Sequence, residues 1–377
     1  MRNVGINALV LNEESGGLGV YLRNLIKFLI SRQFEFDPRI FLSRDTVDEY
    51  VRRYGDMQFK RVNIQSNKPV HRIVREPFIW PKLLKENNIE LLHSTLSYIP
   101  MGISIPSIVT IHDLGFFHYP EHYTLLRRMF LERMIMRSVD EAIKIIVISE
   151  FTRSDVISTF GVTSDKISVI HEGVEKEKYQ RQYSEAEKNR IRKQYRLPGK
   201  YILSVGHLEP RKNYSRLIHA FSILKKKYGI DHKLVIVGRE NWKYQPIYDL
   251  VKRLRLGESV IFTRFVSDGD LPAIYQMADV FVTASTFEGF GFTPLEAMAA
   301  GTPVAASNAT SLPEVIGDAG VLFNPYDEDD IAEKIYSVIG DEQFSKELVA
   351  KGSENIKRFT WEKCCRETIR EYEMALE

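Results

Sequence analysis

Short, unbroken apolar runs such as IKIIVIS at 143–149 and KLVIVG at 233–238 limit the fold of this chain more than any other pattern in it. A strand with one wet face alternates apolar and polar residues. An unbroken Val/Ile/Leu run has to be covered on both faces, which is the habit of parallel strands. Strands are expected at 3–11, 39–43, 61–64, 90–93, 107–112, 143–149 and 167–171, and again at 201–205, 233–237, 260–263, 280–284, 304–307 and 320–323. Longer segments of helical spacing separate them, so the expected fold class is α/β with doubly wound sheets. The alternation breaks once, at the polar stretch 175–200. For 377 residues, at roughly 100–200 per domain, that break suggests two Rossmann-like domains, 1–180 and 181–360, followed by an amphipathic helix at 361–377.

Composition excludes several function classes. Lys and Arg number 52 against 50 Asp and Glu, a net charge of +2, whereas a dedicated nucleic-acid binder carries a basic excess. No nucleic-acid partner is expected. The two cysteines, Cys364 and Cys365, are adjacent, which leaves neither a disulfide framework nor a C-x-x-C zinc site and points to a reducing, cytoplasmic setting. No apolar run approaches the ~18 residues of a membrane span. The N-terminal MRNVGINALV lacks a small-residue cleavage site and reads as a first strand, not a signal peptide.

Chemistry concentrates in two segments. TFEGFGFTPLEAMAAGTP at 286–303 follows an expected strand and carries Glu288 and Glu296. Gly289, Gly291 and Pro294 keep its first part from being helical. Thr293 then looks like an N-cap, Pro294 the first helical residue and Glu296 the N3 member of a capping box, with Gly301 as the stop. A glycine-rich loop running into a helix N-terminus is a ready anion site. At this point Glu296 can be read as a capping residue or as a ligand carboxylate. The second segment, VGHLEPRKNYSRL at 205–217, places Gly206, Arg211 and Lys212 after another expected strand, with Asn213 and Ser215 as candidate caps. Arg offers forked donors and Lys a compact charge, and ligand crevices form at the carboxyl ends of parallel strands. Together the segments suggest a diphosphate site.

EGFGFTPLEAMAAGTPV, with its two glutamates, resembles the E-x7-E signature of the family 4 retaining glycosyltransferases. SVGHLEPRKN, FVSDGDLPAIYQMADVFVTAS, SNATSLPEVIGDAGVLFNPYDEDDIAEKI, SGGLGVYLRNL, TIHDLGFFHYP and VISEFTRSDV extend the likeness over nearly the whole chain. It is closest to the mannosyltransferase-like branch of cell-surface polysaccharide synthesis. The resemblance implies a GT-B fold, two Rossmann-like domains facing across a cleft, with the 361–377 helix joining the first. It implies a sugar-nucleotide donor, GDP-mannose in this branch, and a glycan or lipid-linked acceptor.

Carried over by position, the likeness gives Glu288, Arg211, Lys212 and His112 as catalytic. Glu288 would face the donor sugar, Arg211 and Lys212 would neutralise the leaving diphosphate, and His112 would reach the sugar from the first domain. Glu296 would bind the ribose. Backbone at Gly289, Phe290, Gly291, Phe292 and Thr293 would meet sugar and diphosphate, and Gly206 belongs to the same loop set. Main chain at 264–266, with Phe265 and Val266, would edge the base. Gly16 and Gly17 would admit phosphates and acceptor. His207 stands where many relatives have Arg, which leaves the second cation open between Arg211 and His207.

A retaining double displacement would need a carboxylate nucleophile. Glu288 is not generally accepted as one in the family, so a front-face route through an oxocarbenium-like state is expected. No metal or cofactor is implied. Asp268-Gly269-Asp270 fits D-x-D, but Asp270 reads as a helix cap, and DEDD at 327–330 reads as a solvated helix start. The alternatives are a UDP-sugar donor, a sugar-nucleotide epimerase, or a non-enzymatic nucleotide binder. The stretches 71–85 and 125–138 mix arginines and lysines with Phe78, Trp80, Met and Leu. They suit either helices whose apolar positions face the core and whose arginines face water, or peripheral contact with the inner face of the plasma membrane.

Overall fold

The computed structural model describes every residue except Met1, Glu13, Glu14, Met57, Tyr123 and Trp242. Each expected run forms a strand. The first sheet holds β1 (Arg2–Asn7), β2 (Phe36–Ser43), β3 (Phe59–Val62), β4 (Ile89–Ser94), β5 (Ser107–Ile111), β6 (Lys144–Val147) and β7 (Ile167–Val169), in the order β3-β2-β1-β4-β5-β6-β7. The second holds β8 (Tyr201–Val205), β9 (Lys233–Val237), β10 (Val260–Arg264), β11 (Val280–Thr283), β12 (Val304–Ser307) and β13 (Val321–Phe323), in the order β10-β9-β8-β11-β12-β13. All these pairings are parallel. The order reverses between β1 and β4 and between β8 and β11, the switch points at which open α/β sheets bind ligands.

The chain divides into two compact units, Met1–Gly173 with Trp361–Glu377, and Val174–Thr360. The break thus lies between Gly173 and Val174 and not at 180. The reason is that the short helix Lys176–Tyr179 packs into the second unit, where the Tyr179 ring meets Tyr275 edge-on at 5.8 Å. Within the polar stretch 175–200, the helical spacing of SEAEKNRIRKQY at 184–195 is borne out. The helix Glu185–Tyr195 starts with a complete Ser184–Glu187 capping box and buries Ile191. A second, smaller difference is that β1 ends at Asn7, short of residue 11.

The C-terminal helix Trp361–Leu376 buries Cys364, Cys365, Thr368, Ile369 and Tyr372 within the first unit. Tyr372 Oη lies 2.5 Å from His93 Nδ1 on β4. Burying Ile369 contributes about 1.5–3 kcal/mol to holding this helix down. Both cysteines are free thiols, and burial pushes Cys365 up to about 12.

Candidate active site

Because β8 and β11 are neighbours, the loops that leave them meet. β8 leads through Gly206 into a single 3-10 turn, Pro210–Lys212, ahead of the helix Tyr214–Lys227. β11 leads into the Glu288 loop ahead of the helix Phe292–Ala300. Thr286 N donates to the Arg211 carbonyl at 2.9 Å and ties one loop to the other. Arg211 Nη1 donates to Glu288 Oε2 at 2.9 Å and to the Phe287 carbonyl at 3.1 Å, while Lys212 Nζ donates to Glu288 Oε1 at 2.5 Å. Arg211 Nε also pairs with Glu209 Oε1 at 2.7 Å. The Glu288 side chain is 14 % exposed. Its burial works to raise the carboxyl, but Lys212 and Arg211 outweigh that and hold it down at about 2. The arrangement is a carboxylate gripped by two cations at the carboxyl edge of the sheet.

Two residues that the sequence did not single out fix this loop. Glu288 N donates to Thr310 Oγ1 at 3.0 Å, and Ser311 Oγ faces the carbonyls of Glu288 at 2.8 Å and Phe290 at 2.6 Å. The Phe290 ring is buried against Phe359, centroids 5.7 Å apart, so its side chain belongs to the core. The donor contact expected of Phe290 is a backbone one, and the buried ring takes no part in it. The Thr293 N-cap is also corrected. Gly291, at φ 127°, is the N-cap, Phe292 is the first helical residue, and no side chain caps the end. A Cβ at Gly291 would stand 3.0 Å from Leu312 Cδ2. The turn into the helix is therefore made at the glycine, before Thr293 is reached.

Glu296 is consequently no capping-box residue. Its Oε2 accepts from Tyr275 Oη at 2.8 Å. Burial raises this carboxyl, opposed by hydrogen bonds from Tyr179 and Tyr275. Glu288 and Glu296, close in sequence, thus serve separate clusters, one cationic and one phenolic.

The loops after β8, β9 and β10 adjoin. Gly206 N donates to the Val237 carbonyl at 2.8 Å, and Gly238 N to the Arg264 carbonyl at 3.0 Å. A Cβ on Gly206 would meet Lys212 Cε at 3.1 Å, so glycine there makes room for the lysine stem. His207 is exposed, and the cations on Glu288 are Arg211 and Lys212. Phe265 is 59 % exposed beneath the Arg239 guanidinium, 4.6 Å from its ring, whereas Val266 is buried. Asn213 sits at the N-cap of its helix without capping it: its amide nitrogen donates to the Pro325 carbonyl at 2.7 Å, and its Oδ1 accepts from Arg216 Nη1 at 3.2 Å. Asp270 likewise does not cap by its side chain: Arg190 and Tyr195 hold its carboxylate. Asp268 is exposed, 4.0 Å from Lys178.

In the first unit, His112 follows β5, and Gly16 (φ 53°) and Gly17 open the helix Gly16–Ile30 after β1. His112 Nε2 lies 3.3 Å from the Thr95 carbonyl and Nδ1 3.4 Å from Glu172 Oε1. Trp80 is fully buried, so this apolar position of the stretch 71–85 faces the core, while Arg72, read as facing water, is buried beside Glu76. Phe78, Leu125 and Leu126 are exposed instead.

Residues 15–178 match the family described as Glycosyltransferase Family 4, and residues 186–357 the one described as Glycosyl transferases group 1. The O-antigen chain mannosyltransferase B of Escherichia coli is 33% identical over 373 residues, covering 95% of this chain and 96% of that protein. The chain belongs to the family 4 glycosyltransferases. This transferase is also 28% identical to the O-antigen chain mannosyltransferase RfbU of Salmonella typhimurium, over 86% of the chain and 87% of that protein. The structure of sucrose-phosphate synthase from Thermosynechococcus elongatus matches with a TM-score of 0.78 at 19% identity, over 100% of this chain and 99% of that one. Anabaena HepE in complex with UDP and glucose matches with a TM-score of 0.77 at 17% identity, over 99% of this chain and 100% of that one. The fold is GT-B, built from two parallel-sheet Rossmann-like domains.

Proposed function

We propose that this transferase retains configuration and moves mannose from GDP-mannose to a glycan or lipid-linked acceptor in cell-surface polysaccharide synthesis. The observation that carries the reading is the Glu288 carboxylate held between Arg211 and Lys212. In this reading the diphosphate takes Arg211 and Lys212 over from Glu288, and the two cations absorb the charge that develops as the glycosidic bond breaks. Glu288, released from them, faces the sugar and supports positive charge near its anomeric carbon. Glu296 takes the ribose hydroxyls, the 264–266 backbone edges the base, and His112 contacts the sugar. Charge neutralisation falls to side chains, so turnover is expected to withstand EDTA.

The acceptor attacks from the face the diphosphate leaves, and the leaving phosphate helps remove the acceptor proton. Replacing Glu288 by Ala or Gln should lower turnover greatly with no glycosyl-enzyme detectable by mass spectrometry; a covalent adduct on any side chain would overturn the front-face route. A UDP-sugar is the second reading, favoured by the likeness to HepE, whose structure holds UDP and glucose. A thermal-shift panel of GDP, UDP, ADP and their sugars decides, since a nucleotide that binds the folded state raises its Tm by mass action. A larger shift with UDP than with GDP refutes GDP-mannose.

Among the described residues no helix is long and apolar enough to cross a membrane. Val74 and Phe78 on the helix Pro69–Glu86, with Leu125, Leu126 and Met129 on the helix Leu125–Glu141, are exposed beside Arg75 and Arg127. Exposed apolar side chains among cations support peripheral contact with an anionic inner leaflet. Flotation with anionic liposomes at low salt tests this, and absence of binding there sinks it.

A further inference from the structure

Glu172 lies just beyond β7 and is 1% exposed. Among the described residues neither of its carboxylate oxygens has a hydrogen-bond partner at ordinary distance and angle. Burial raises this carboxyl, opposed by His112, so its proton is either kept or shared with a neighbouring group. The group at hand is His112 Nδ1, 3.4 Å from Oε1. The other ring nitrogen, Nε2, faces the Thr95 carbonyl at 3.3 Å, an acceptor that requires Nε2 to carry a hydrogen. The Tyr21 ring stands edge-on to the imidazole, 77° between planes and 5.4 Å between centroids, and holds its orientation from the side of the helix Gly16–Ile30.

Three buried titratable groups around the pair, Tyr21, Cys364 and His93, bring no competing charge. Burial keeps the Tyr21 hydroxyl and the Cys364 thiol protonated. It also pushes His93 on β4 down to about 3, so that ring is neutral. Asp113, next in the chain to His112, turns away to accept from Gly115 N at 2.9 Å.

We propose that Glu172 is the positioning residue for His112: it shares one proton with Nδ1, commits that nitrogen, and leaves Nε2–H as the hydrogen the ring offers to a ligand. The Nε2 contact with Thr95 is long, so a sugar hydroxyl oxygen can take the hydrogen over without the ring turning. The arrangement follows the general habit of functional imidazoles, in which the partner of one nitrogen sets what the other can do. The inference rests on the reading of His112 as a donor-sugar contact, and its test separates the two.

The full-length protein, labelled with nitrogen-15 in its histidine rings and free of ligand, is examined by NMR at pH 7.5, with the His112 signals identified by their loss in His112→Gln. The expected ring has Nε2 protonated and Nδ1 protonated or hydrogen-bonded, and Glu172→Gln moves Nδ1 toward a free imine nitrogen. A wild-type Nδ1 that is already a free imine overturns the proposal, even if the variant does not fold. Ring signals unchanged in Glu172→Gln overturn it as well. With GDP-mannose as the probe, the same variant should lose kcat on the order of 10–100-fold at unchanged KM, and Glu172→Asp should recover part of it. If the ring responds to Glu172→Gln while kcat does not, the pairing stands and the donor-contact reading of His112 falls.

Discussion

Replacing Glu288 by Gln should remove an acid-sensitive share of the stability of the second unit. The carboxyl, lowered from an ordinary 4.5 to about 2 by Lys212 and Arg211 against the opposing effect of burial, is stabilised as carboxylate by about 3 kcal/mol. Its side chain is 14 % exposed, so solvent screening removes little of that. Since the folded value lies below the unfolded one, this contribution is complete above about pH 5 and fades as the pH falls toward 2, with roughly 2 kcal/mol gone by pH 3. Urea unfolding of wild type and Glu288→Gln at pH 7, 5, 4 and 3, followed by near-ultraviolet circular dichroism, isolates the term, because every other titrating group cancels in the difference. The stability advantage of the wild type should shrink by about 2 kcal/mol between pH 7 and pH 3. A difference that stays constant over that range would refute the clamp: the two cations would then not hold Glu288 in solution.

Ser311→Ala removes the hydroxyl that faces the Glu288 and Phe290 carbonyls; a loss of about 1–3 kcal/mol is expected from urea midpoints, with lower turnover as the loop loosens. Unchanged midpoint and turnover would show that the loop is held by other contacts. Tyr275→Phe deprives Glu296 of a donor and should weaken GDP binding by roughly 1 kcal/mol, about fivefold, in a titration; equal affinity would remove Glu296 from the ribose. Gly238→Ala would place a Cβ 1.9 Å from the Gly206 carbonyl oxygen, backbone against backbone, so a folded variant with the wild-type Tm would contradict the described packing of the β8 and β9 loops.

The strands were legible because parallel strands covered on both faces write their burial into composition, as β6 and β9 do. Helix starts were less so. Thr293-Pro294 satisfies the usual rule for a start, yet the positive φ of Gly291 turns the chain earlier, and a backbone angle leaves no letter in the sequence. The cationic clamp was half legible: Arg211, Lys212 and Glu288 stood out by their neighbours and by family likeness, but their pairing spans 76 and 77 residues. Tyr275 lies 21 residues from Glu296, on a separate helix, Leu271–Gln276. Glu172, in the plain-looking HEGV after β7, offered no periodicity or motif at all. What made it visible was burial beside an imidazole, a three-dimensional fact.

The return of the C-terminal helix Trp361–Leu376 to the first unit sets an order of events during synthesis. The second unit is one continuous segment, Val174–Thr360, and its sheet and core are complete as soon as that segment has left the ribosome. The first unit, though its other residues are translated earlier, has to wait for residues 361–377 to cover Tyr21, Phe36 and His93. Domains generally fold as units as they emerge. Here the half begun first is finished after the second, and a stop codon near position 360 would damage the fold at its beginning.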